Sequence, residues 1–363
     1  MPSESPRRII DSHLDLSWNA LQWNRDLTEP LEQLNAREKA MTDRISRGRA
    51  TISFPELRKG GLAVVLGTLL CRAKREVVPA EGFNRINVDF ATQEIASAMA
   101  QGQLAYYKLM SRRNELRYIK TAAELEAHWQ KWRQTDAVGI ILAMEGADPI
   151  IDASHARWWW DQGLRVVGLA HYGKSHYAVG TGDSGPLTEK GIALLREFER
   201  IGMIVDLTHS SDPSFFQILD VFSGPVLASH NNCRALVPGD RQYGDEQIRA
   251  IVARRGVIGI AFDAWMLFPG WKIGETSRDL VTLDNVLNQV DHICQLAGNA
   301  DHVAIGTDLD GGFGTEQVPT GLETIADLQK LAPMLLKRGY SDAQVDGIFH
   351  GNWLRFFRKH LPA

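Results

Sequence analysis

His13 and Asp15 are the first residues of the chain whose types and spacing could bind a metal ion. They lie in the short stretch "RIIDSHLDLSW" (residues 8–18), which opens with apolar, β-branched residues. If this stretch is a β-strand, its side chains alternate between two faces, and both residues then point the same way. A loop that turns polar after the strand is the alternative explanation, because a lone His-x-Asp spacing is a weak motif.

The same arrangement recurs at later apolar runs, which again end in a histidine or a carboxylic acid. The residues at these ends are Glu145, His171, His209, His230 and Asp308. Taken singly, an acid at such a position is often a helix cap. Taken together, the residues indicate a metal site, because a parallel barrel brings the C-terminal ends of its strands to one face.

Short apolar runs carry these residues, and segments of helical periodicity separate the runs. The runs are "RII" before Asp11 and residues 61–68, 137–144, 164–170, 202–208, 225–229, 256–262 and 302–307. They are too short for helices and too apolar for half-exposed strands, which indicates a parallel sheet buried on both faces. The repeats predict an α/β fold, a (β/α)8 TIM barrel with the metal site at the C-terminal strand ends. A doubly wound sheet is the second candidate, but no Gly-x-Gly-x-x-Gly follows the first run.

The segments between the runs predict the positions of the helices. Amphipathic patterns cover Thr188–Ile201, Pro213–Phe222, Glu246–Arg254 and Thr282–Leu296. Asp212 is expected to cap the second of these helices, with Pro213 at its first position. Residues 84–135 show helical periodicity twice, and the polar residues 24–56 predict a long loop with helical pieces. Since no linker or internal repeat is evident, residues 1–363 are expected to form one domain.

The donor inventory predicts two metal ions rather than one. Imidazole and carboxylate ligands without thiolate suit zinc, manganese, iron or cobalt. A single catalytic zinc takes three protein ligands, and the candidates here exceed that number. His209 and His230 lie on neighbouring strands of the predicted barrel and could share one ion, while His13 and Asp15 hold the other. Glu145 lies between the two sets and is the natural bridge.

The composition describes an ordinary globular protein and excludes several classes of partner. A net charge of −4 without a basic stripe gives no sign of nucleic-acid binding. Cys71, Cys233 and Cys294 are far apart and odd in number, which favours a reducing compartment. Neither a leader-like N-terminus nor an apolar run long enough for a membrane span is evident, so we expect a cytoplasmic protein without membrane association.

In order and spacing, a set of segments resembles the renal (membrane) dipeptidase type of metallopeptidase, within the amidohydrolase-like barrels. The segments are "DSHLDLSW", "AMEGAD", "LAHYGKSHYAVGTGDSG", "GMIVDLTHSS", "PVLASHNNCRALVPGDRQYGDEQI", "VAIGTDLDGG" and "GNWLRFF". The resemblance covers nearly the whole chain. Animal members of that family are secreted, disulfide-linked and lipid-anchored, so we expect a bacterial-type member that lacks these features.

The resemblance implies a role for each candidate residue. The histidine matching His171 contacts the substrate carbonyl, the arginine matching Arg241 binds the terminal carboxylate, and the aspartate matching Asp308 handles protons at the scissile nitrogen. The residues themselves add further candidates: Asp310, two residues on and on the same predicted strand face, is the alternative to Asp308. Lys174, His176 and Tyr177 are additional candidates for substrate contact because they lie near the predicted site. The implied ligands of two Zn²⁺ ions are His13, Asp15, Glu145, His209 and His230.

The expected function is that of a dinuclear zinc dipeptidase acting on small dipeptides, including those with a C-terminal D-residue. A hydroxide that bridges the metals together with Glu145 is the expected nucleophile, and Asp308, His171 and Glu145 are the expected catalytic residues. Arg241 favours this function over a related metal-dependent amidohydrolase for another amide, a lactam or a lactone. A non-catalytic binding protein is a third alternative, which the complete ligand set argues against. A homodimer is a further expectation.

Overall fold

The computed structural model describes residues 6–80 and 82–363. The first five residues, which belong to the N-terminal stretch considered above for a leader peptide, lie outside the described residues. Within the described residues, no helix combines the length and the apolarity that crossing a bilayer requires.

The strands alternate with helices along the chain, as predicted. The strands are β1 (Ile9–Leu14), β2 (Leu62–Leu70), β3 (Arg72–Ala73), β4 (Asp89–Phe90), β5 (Leu116–Tyr118), β6 (Val138–Glu145), β7 (Leu164–Gly168), β8 (Ile204–Asp206), β9 (Val226–Leu227), β10 (Ile258–Ile260) and β11 (Val303–Ile305). Each of the eight apolar runs that were predicted as strands contains a strand or overlaps one. The short strands β3, β4 and β5 were not predicted, because none of them belongs to a long apolar run.

The helices fill the intervals between the strands. They are α1 (Leu16–Leu21), α2 (Leu31–Glu38), α3 (Phe54–Lys59), α4 (Gln93–Arg112), α5 (Ala122–Lys131), α6 (His155–Asp161), α7 (Glu189–Ile201), α8 (Asp212–Val221), α9 (Asp245–Ala253), α10 (Ala264–Leu267), α11 (Leu283–Ala297), α12 (Leu331–Lys337), α13 (Asp342–Asp346) and α14 (Asn352–His360). Shorter 3₁₀ turns span Arg278–Leu280, Thr315–Gln317 and Ile325–Lys330, and a π turn spans Gly347–Gly351.

Sequence patterning placed most of the helices, but one predicted cap was wrong. Thr188, the first residue of a predicted amphipathic segment, caps α7 by accepting a hydrogen bond from the amide of Gly191. Ser211, rather than Asp212, caps α8 by accepting from Ser214 N, so Pro213 occupies the second helical position. Serine and aspartate cap helices about equally well, so adjacent residues of these types leave the start of the helix ambiguous by one position.

The main sheet is parallel and curls in the order β1-β2-β6-β7-β8-β9, with β5 pairing beside the start of β6. The strands β10 and β11 form a separate parallel pair, and a single bridge between Ala228 and Ile258 links this pair to β9. The strand residues are almost all buried, as expected for a parallel sheet covered on both faces. The result is the α/β barrel arrangement that the repeats predicted.

Side chains rather than a backbone ladder hold β11 against β1. Asp11 accepts hydrogen bonds from the Thr307 amide at 2.9 Å and from the Thr307 hydroxyl at 2.6 Å. Ser12 Oγ donates to the carbonyl of Ile305 at 3.1 Å. These bonds fix the end of β1, and with it the residues that follow, relative to the loop after β11.

Candidate metal centre

His13, Asp15 and Glu145 meet at the C-terminal ends of β1 and β6. His13 Nε2 lies 3.6 Å from Glu145 Oε2 and 4.0 Å from Asp15 Oδ1. All three side chains are buried. His13 and Asp15 therefore face the same way from the end of β1, as the alternation of strand side chains predicts.

His209 and His230 reach the same glutamate from the other side of the barrel. Their Nε2 atoms lie 3.1 Å and 3.4 Å from Glu145 Oε1, respectively. Asp308 Oδ1 lies 3.7 Å from His13 Nε2, and Asp308 Oδ2 lies 4.0 Å from His230 Nε2. Glu145 thus has one oxygen toward the β1 residues and the other toward the two histidines.

Potential ligand atoms within 4.8 Å of one another form three groups: His13, Asp15 and Glu145; Glu145, His209 and His230; and His13, His230 and Asp308. The first two groups match the two ion sites that the sequence suggested, with Glu145 common to both. The third group brings Asp308 close enough to be a further ligand, in addition to its expected role with protons.

Hydroxyl groups contact the Nδ1 atoms of three histidines, so the Nε2 atoms of these rings face Glu145. Ser229 Oγ lies 2.9 Å from His230 Nδ1 and 3.4 Å from His13 Nδ1. Thr181 Oγ1 lies 3.0 Å from His209 Nδ1. Such outer partners orient the ring and fix the tautomer of a metal-binding histidine. The sequence did not point to Ser229 or Thr181, because a hydroxyl residue beside a histidine is too common to be a signal.

The backbone at two of these positions adopts an uncommon conformation. His209 and Asp308 have φ angles of +66° and +59°, in the left-handed region that residues other than glycine seldom occupy. Such strain persists where the surrounding structure enforces it, and it is frequent at functional sites.

Burial controls the protonation of the histidines on the Glu145 Oε1 side. It lowers the pKa of His209 to about 3, and it holds the pKa values of His171 and His230 well below the usual value. These three rings are therefore neutral near pH 7, which is the form of imidazole that binds metals.

Negative charge dominates the rest of the centre. Burial opposes the protonation of His13, yet Glu145, Asp15 and Asp308 together raise its pKa to about 10. Burial also raises the pKa of Asp308 well above the usual value, and the charges of Glu145 and Asp15 add to this effect. The three acidic groups therefore favour a proton or a metal cation at this point.

The donor set fits divalent metal ions. His13 Nε2 is buried and has no hydrogen-bond partner among residues 6–80 and 82–363. Neutral imidazoles, clustered carboxylates and an unpartnered ring nitrogen together provide the ligands that zinc and similar ions prefer.

His171 and Arg241 lie at the edge of the ligand cluster, the name used here for His13, Asp15, Glu145, His209, His230 and Asp308. His171 Nε2 is 3.7 Å from Glu145 Oε1, and its Nδ1 is 3.4 Å from Arg72 Nη1. Arg241 is only 3% exposed and donates from Nη2 to the His230 carbonyl at 3.0 Å. Its Nη1 has no hydrogen-bond partner in the described part of the chain. A buried guanidinium with a free donor beside a cleft is suited to bind a carboxylate.

A cleft of about 130 Å³ opens over the cluster. Asp15, Glu145, His171, His209, Arg241 and Asp308 line it. Sequence reasoning missed the rest of the wall, which includes Trp18, Tyr172, Asp263, Trp265 and Met266. Trp265 and Met266 belong to α10, a segment in which the sequence analysis named no candidate residue.

Several residues that the sequence singled out do not line the cleft. Asp310 was placed with Asp308 on one strand face, but β11 ends at Ile305 and both aspartates lie in the following loop. Asp310 instead accepts hydrogen bonds from the amide and hydroxyl of Thr51 at 2.9 Å and 2.7 Å. Tyr177 is buried and donates its hydroxyl to the Ile150 carbonyl.

Two other candidates for substrate contact are turned away as well. His176 Nδ1 lies 3.1 Å from Asp148 Oδ1, outside the cleft. Lys174 is exposed, and its Nζ is 3.9 Å from Asp183. In this segment, His171 and Tyr172 are the residues that line the cleft among those that the structure describes.

Comparison with known proteins identifies relatives over the length of the chain. The family described as membrane dipeptidase (peptidase family M19) matches residues 4–361. Dipeptidase verJ of Clonostachys rogersoniana is 27% identical over 354 residues, which are 96% of this chain and 82% of verJ. Dipeptidase tcpJ of Claviceps purpurea is 34% identical over 203 residues, which are 54% of this chain and 45% of tcpJ.

Solved structures show the same fold. The M19 metallopeptidase called dipeptidase AC aligns with a TM-score of 0.78 at 23% identity, covering 99% of this chain and 100% of its own. A metallopeptidase from Rhodobacter sphaeroides, liganded with a phosphinate mimic of L-Ala-D-Ala, aligns with a TM-score of 0.78 at 22% identity. That alignment covers 98% of this chain and 100% of the relative.

Proposed function

The chain belongs to the membrane dipeptidase family, peptidase family M19, and is a metallo-dipeptidase; on this basis we propose that it is a dinuclear zinc enzyme for small dipeptides. The observation that carries the proposal is the position of Arg241. Its buried guanidinium, with Nη1 unpartnered among the described residues, lines the same cleft as the clustered metal donors.

His13 and Asp15 would hold one zinc ion, and His209 and His230 the other, with Glu145 contacting both. Each site then has three protein ligands, the usual number for a catalytic zinc. When bound, the ions would supply a water molecule activated at neutral pH and a Lewis acid for the scissile carbonyl. The pairwise distances around Glu145 support this division.

Arg241 would bind the free C-terminal carboxylate of the dipeptide through a charge-assisted hydrogen bond from Nη1. A guanidinium suits this task because its planar donors match the geometry of a carboxylate. The contact would set the distance between the substrate's C-terminus and the metal centre, so that only the last peptide bond reaches it. The same contact disfavours lactams and lactones without a carboxylate.

His171 and Asp308 would act on the scissile peptide bond. His171 lies beside Glu145, so its ring can donate to the carbonyl oxygen as negative charge develops there. The carboxyl group of Asp308 lines the cleft next to His13 and can carry a proton to the leaving nitrogen. Glu145 positions the nucleophile between the two groups of ligands.

Two finer features belong to the proposal. We infer that a D-residue is accepted at the C-terminal position, since the Rhodobacter sphaeroides relative is liganded with an L-Ala-D-Ala mimic. We also infer a reducing compartment, the cytoplasm, since Cys71, Cys233 and Cys294 are free thiols.

A substrate panel tests the proposal on protein whose metal content has been measured. The panel contains L-Ala-L-Ala, L-Ala-D-Ala, an N-acyl amino acid, a lactam and a lactone. We expect hydrolysis of both dipeptides and little of the rest. Turnover of the lactam or lactone with no turnover of either dipeptide would contradict the proposal and support the related amidohydrolase instead.

A further inference from the structure

A second pocket of about 400 Å³ lies beside the cleft, next to the segment that follows β2. Tyr172 lines both spaces and forms the wall between them. Arg72 lines the pocket as well, and its Nη1 is 3.4 Å from Nδ1 of His171 in the cleft. The pocket is therefore one side chain away from the proposed site of hydrolysis.

Lys74 lines this pocket and is largely buried without a partner for its charge. The residue is 7% exposed, and its ammonium, which reaches the pocket, has no hydrogen-bond or ion-pair partner within residues 6–80 and 82–363. Buried lysines normally have a partner, because an uncompensated charge is costly to bury. Asp148 is the main attractive charge nearby, but its carboxylate already accepts from Ala73 N at 2.9 Å and from His176 N at 3.0 Å.

The other charges of the pocket leave Lys74 unbalanced. Arg72 and Asp89 neutralise each other through two hydrogen bonds of 2.7 Å. Lys174 and Asp183 lie opposite each other at the exposed rim, 3.9 Å apart. Glu76 is also exposed to water, where its charge is screened. Lys74 is therefore a basic group of the pocket that no carboxylate of the described residues pairs with directly.

The barrel places this charge across the metal centre from Arg241. Lys74 follows β2 and Arg241 follows β9, and β6, β7 and β8 separate these two strands in the sheet. In an eight-stranded barrel, such strands lie on opposite sides of the axis. A dipeptide whose C-terminal carboxylate is bound by Arg241 and whose peptide bond lies over Glu145 would extend its N-terminal residue toward β2.

We propose that the pocket binds the acidic side chain of an N-terminal aspartate or glutamate, with Lys74 donating to its carboxylate past Tyr172. The proposal rests on the proposed dipeptidase function and names a preferred class of substrate. The carboxylate would supply the partner that Lys74 lacks. Neutral side chains would leave the ammonium unpaired, so acidic dipeptides would gain from a contact that alanyl dipeptides do not make.

The test compares Glu-Ala, Gln-Ala and Ala-Ala as substrates of the wild type, Lys74→Met and Lys74→Arg. We expect the wild type to favour Glu-Ala over Gln-Ala in kcat/KM by about 10- to 100-fold, the usual range for a hydrogen bond to a charged group. Lys74→Met should remove that preference while leaving Ala-Ala within about threefold, and Lys74→Arg should retain most of it. Lys190→Met, at an exposed lysine of α7, is the control and should match the wild type.

Equal turnover of Glu-Ala and Gln-Ala by the wild type would overturn the proposal, as would an equal loss for all three dipeptides in Lys74→Met. Calorimetric binding of glutarate separates this proposal from the proposed function, because it needs no hydrolysis. We expect the affinity for glutarate to fall about tenfold or more in Lys74→Met but not in Lys190→Met. Unchanged affinity in Lys74→Met would overturn the subsite even if dipeptides are hydrolysed, whereas a loss of affinity would support it even if they are not.

Discussion

The loop after β11 contributes Asp308 to one buried cluster of charged residues and Asp310 to another, and the two clusters differ in how their charges are paired. Around Asp310, Arg25 lies 3.7 Å away and also contacts Glu38 at 3.0 Å, while Arg47 pairs with Glu38 at 2.6 Å. Two arginines therefore balance two carboxylates. Around Asp308, the buried carboxylates outnumber the arginines.

The ligand cluster has Asp15, Glu145 and Asp308 within reach of His13, and among the described residues Arg241 is the one arginine that lines the cleft with them. A cluster whose charges are paired by its own side chains serves the structure. A cluster whose carboxyl groups outnumber its arginines, and whose buried ligand atoms include an unpartnered one, offers positions to cations from outside. Whether the side chains of a cluster pair with one another, rather than residue type or burial, thus separates the structural network from the binding site.

The largest expected effect comes from removing those cations. We expect close to two zinc ions per chain in the purified protein. Chelation should abolish all detectable dipeptide hydrolysis, because the enzyme then loses its activated water and its Lewis acid. Glu145→Gln should lower occupancy of both sites, whereas His13→Ala should mainly empty one. Elemental analysis under non-chelating conditions measures this, and saturation at one ion per chain would contradict the dinuclear assignment.

The two aspartates provide a matched pair for the next effect. Asp308→Asn should lower kcat by about 10²- to 10⁴-fold with metal content near normal, since general acid–base groups contribute about that much. Asp310→Asn should leave kcat per folded molecule within about threefold. It should instead lower the free energy of unfolding by about 1–3 kcal/mol, because buried donors of Thr51 and Ile52 lose an acceptor.

Steady-state kinetics and denaturant unfolding of both variants check this contrast. An Asp308→Asn enzyme that keeps more than about a tenth of the wild-type rate would remove the proton role. A large loss of kcat in Asp310→Asn at normal stability would mean that the two clusters are not functionally distinct.

A smaller effect is expected from the hydroxyl behind the histidines. Ser229→Ala removes the Nδ1 partner shared by His13 and His230, and outer partners of this kind are worth about 10- to 100-fold in metal affinity. Competition with a chromophoric chelator should show weaker zinc binding at both sites. Ser223→Ala, at an exposed serine paired with Glu199, is the control, and equal zinc affinity in the two variants would show that Ser229 does not orient the ligands.

Much of the fold and of the ligand cluster could be predicted from the sequence, for a physical reason. Strands buried on both faces leave uninterrupted apolar runs, and a parallel barrel then brings the ends of those runs together. A histidine or acid that follows such a run therefore has a predictable position. This is why His13, Glu145 and His209 could be placed on one face before the structure was known.

The parts that escaped prediction depend on contacts between distant loops. Tyr172, Trp265 and Lys74 reach the cleft or its neighbouring pocket from segments with no regular period, so their neighbours follow from loop conformation alone. Asp310 was misplaced for the same reason, since the left-handed backbone at both Asp308 and Asp310 breaks the alternation of a strand. The homodimer stays a prediction.

The most direct measurement of the central claim is a cycle that combines Arg241→Ala with amidation of the substrate's C-terminal carboxylate. If Arg241 binds that carboxylate, each change alone should lower kcat/KM by about 30- to 5,000-fold, which corresponds to roughly 2–5 kcal/mol. Together they should cost little more than either one, because both remove the same contact. Arg234→Ala, on the same loop and paired with Asp212, is the control and should show additive effects. A coupling energy near zero for Arg241 would contradict the account, since the arginine would then not recognise the carboxylate.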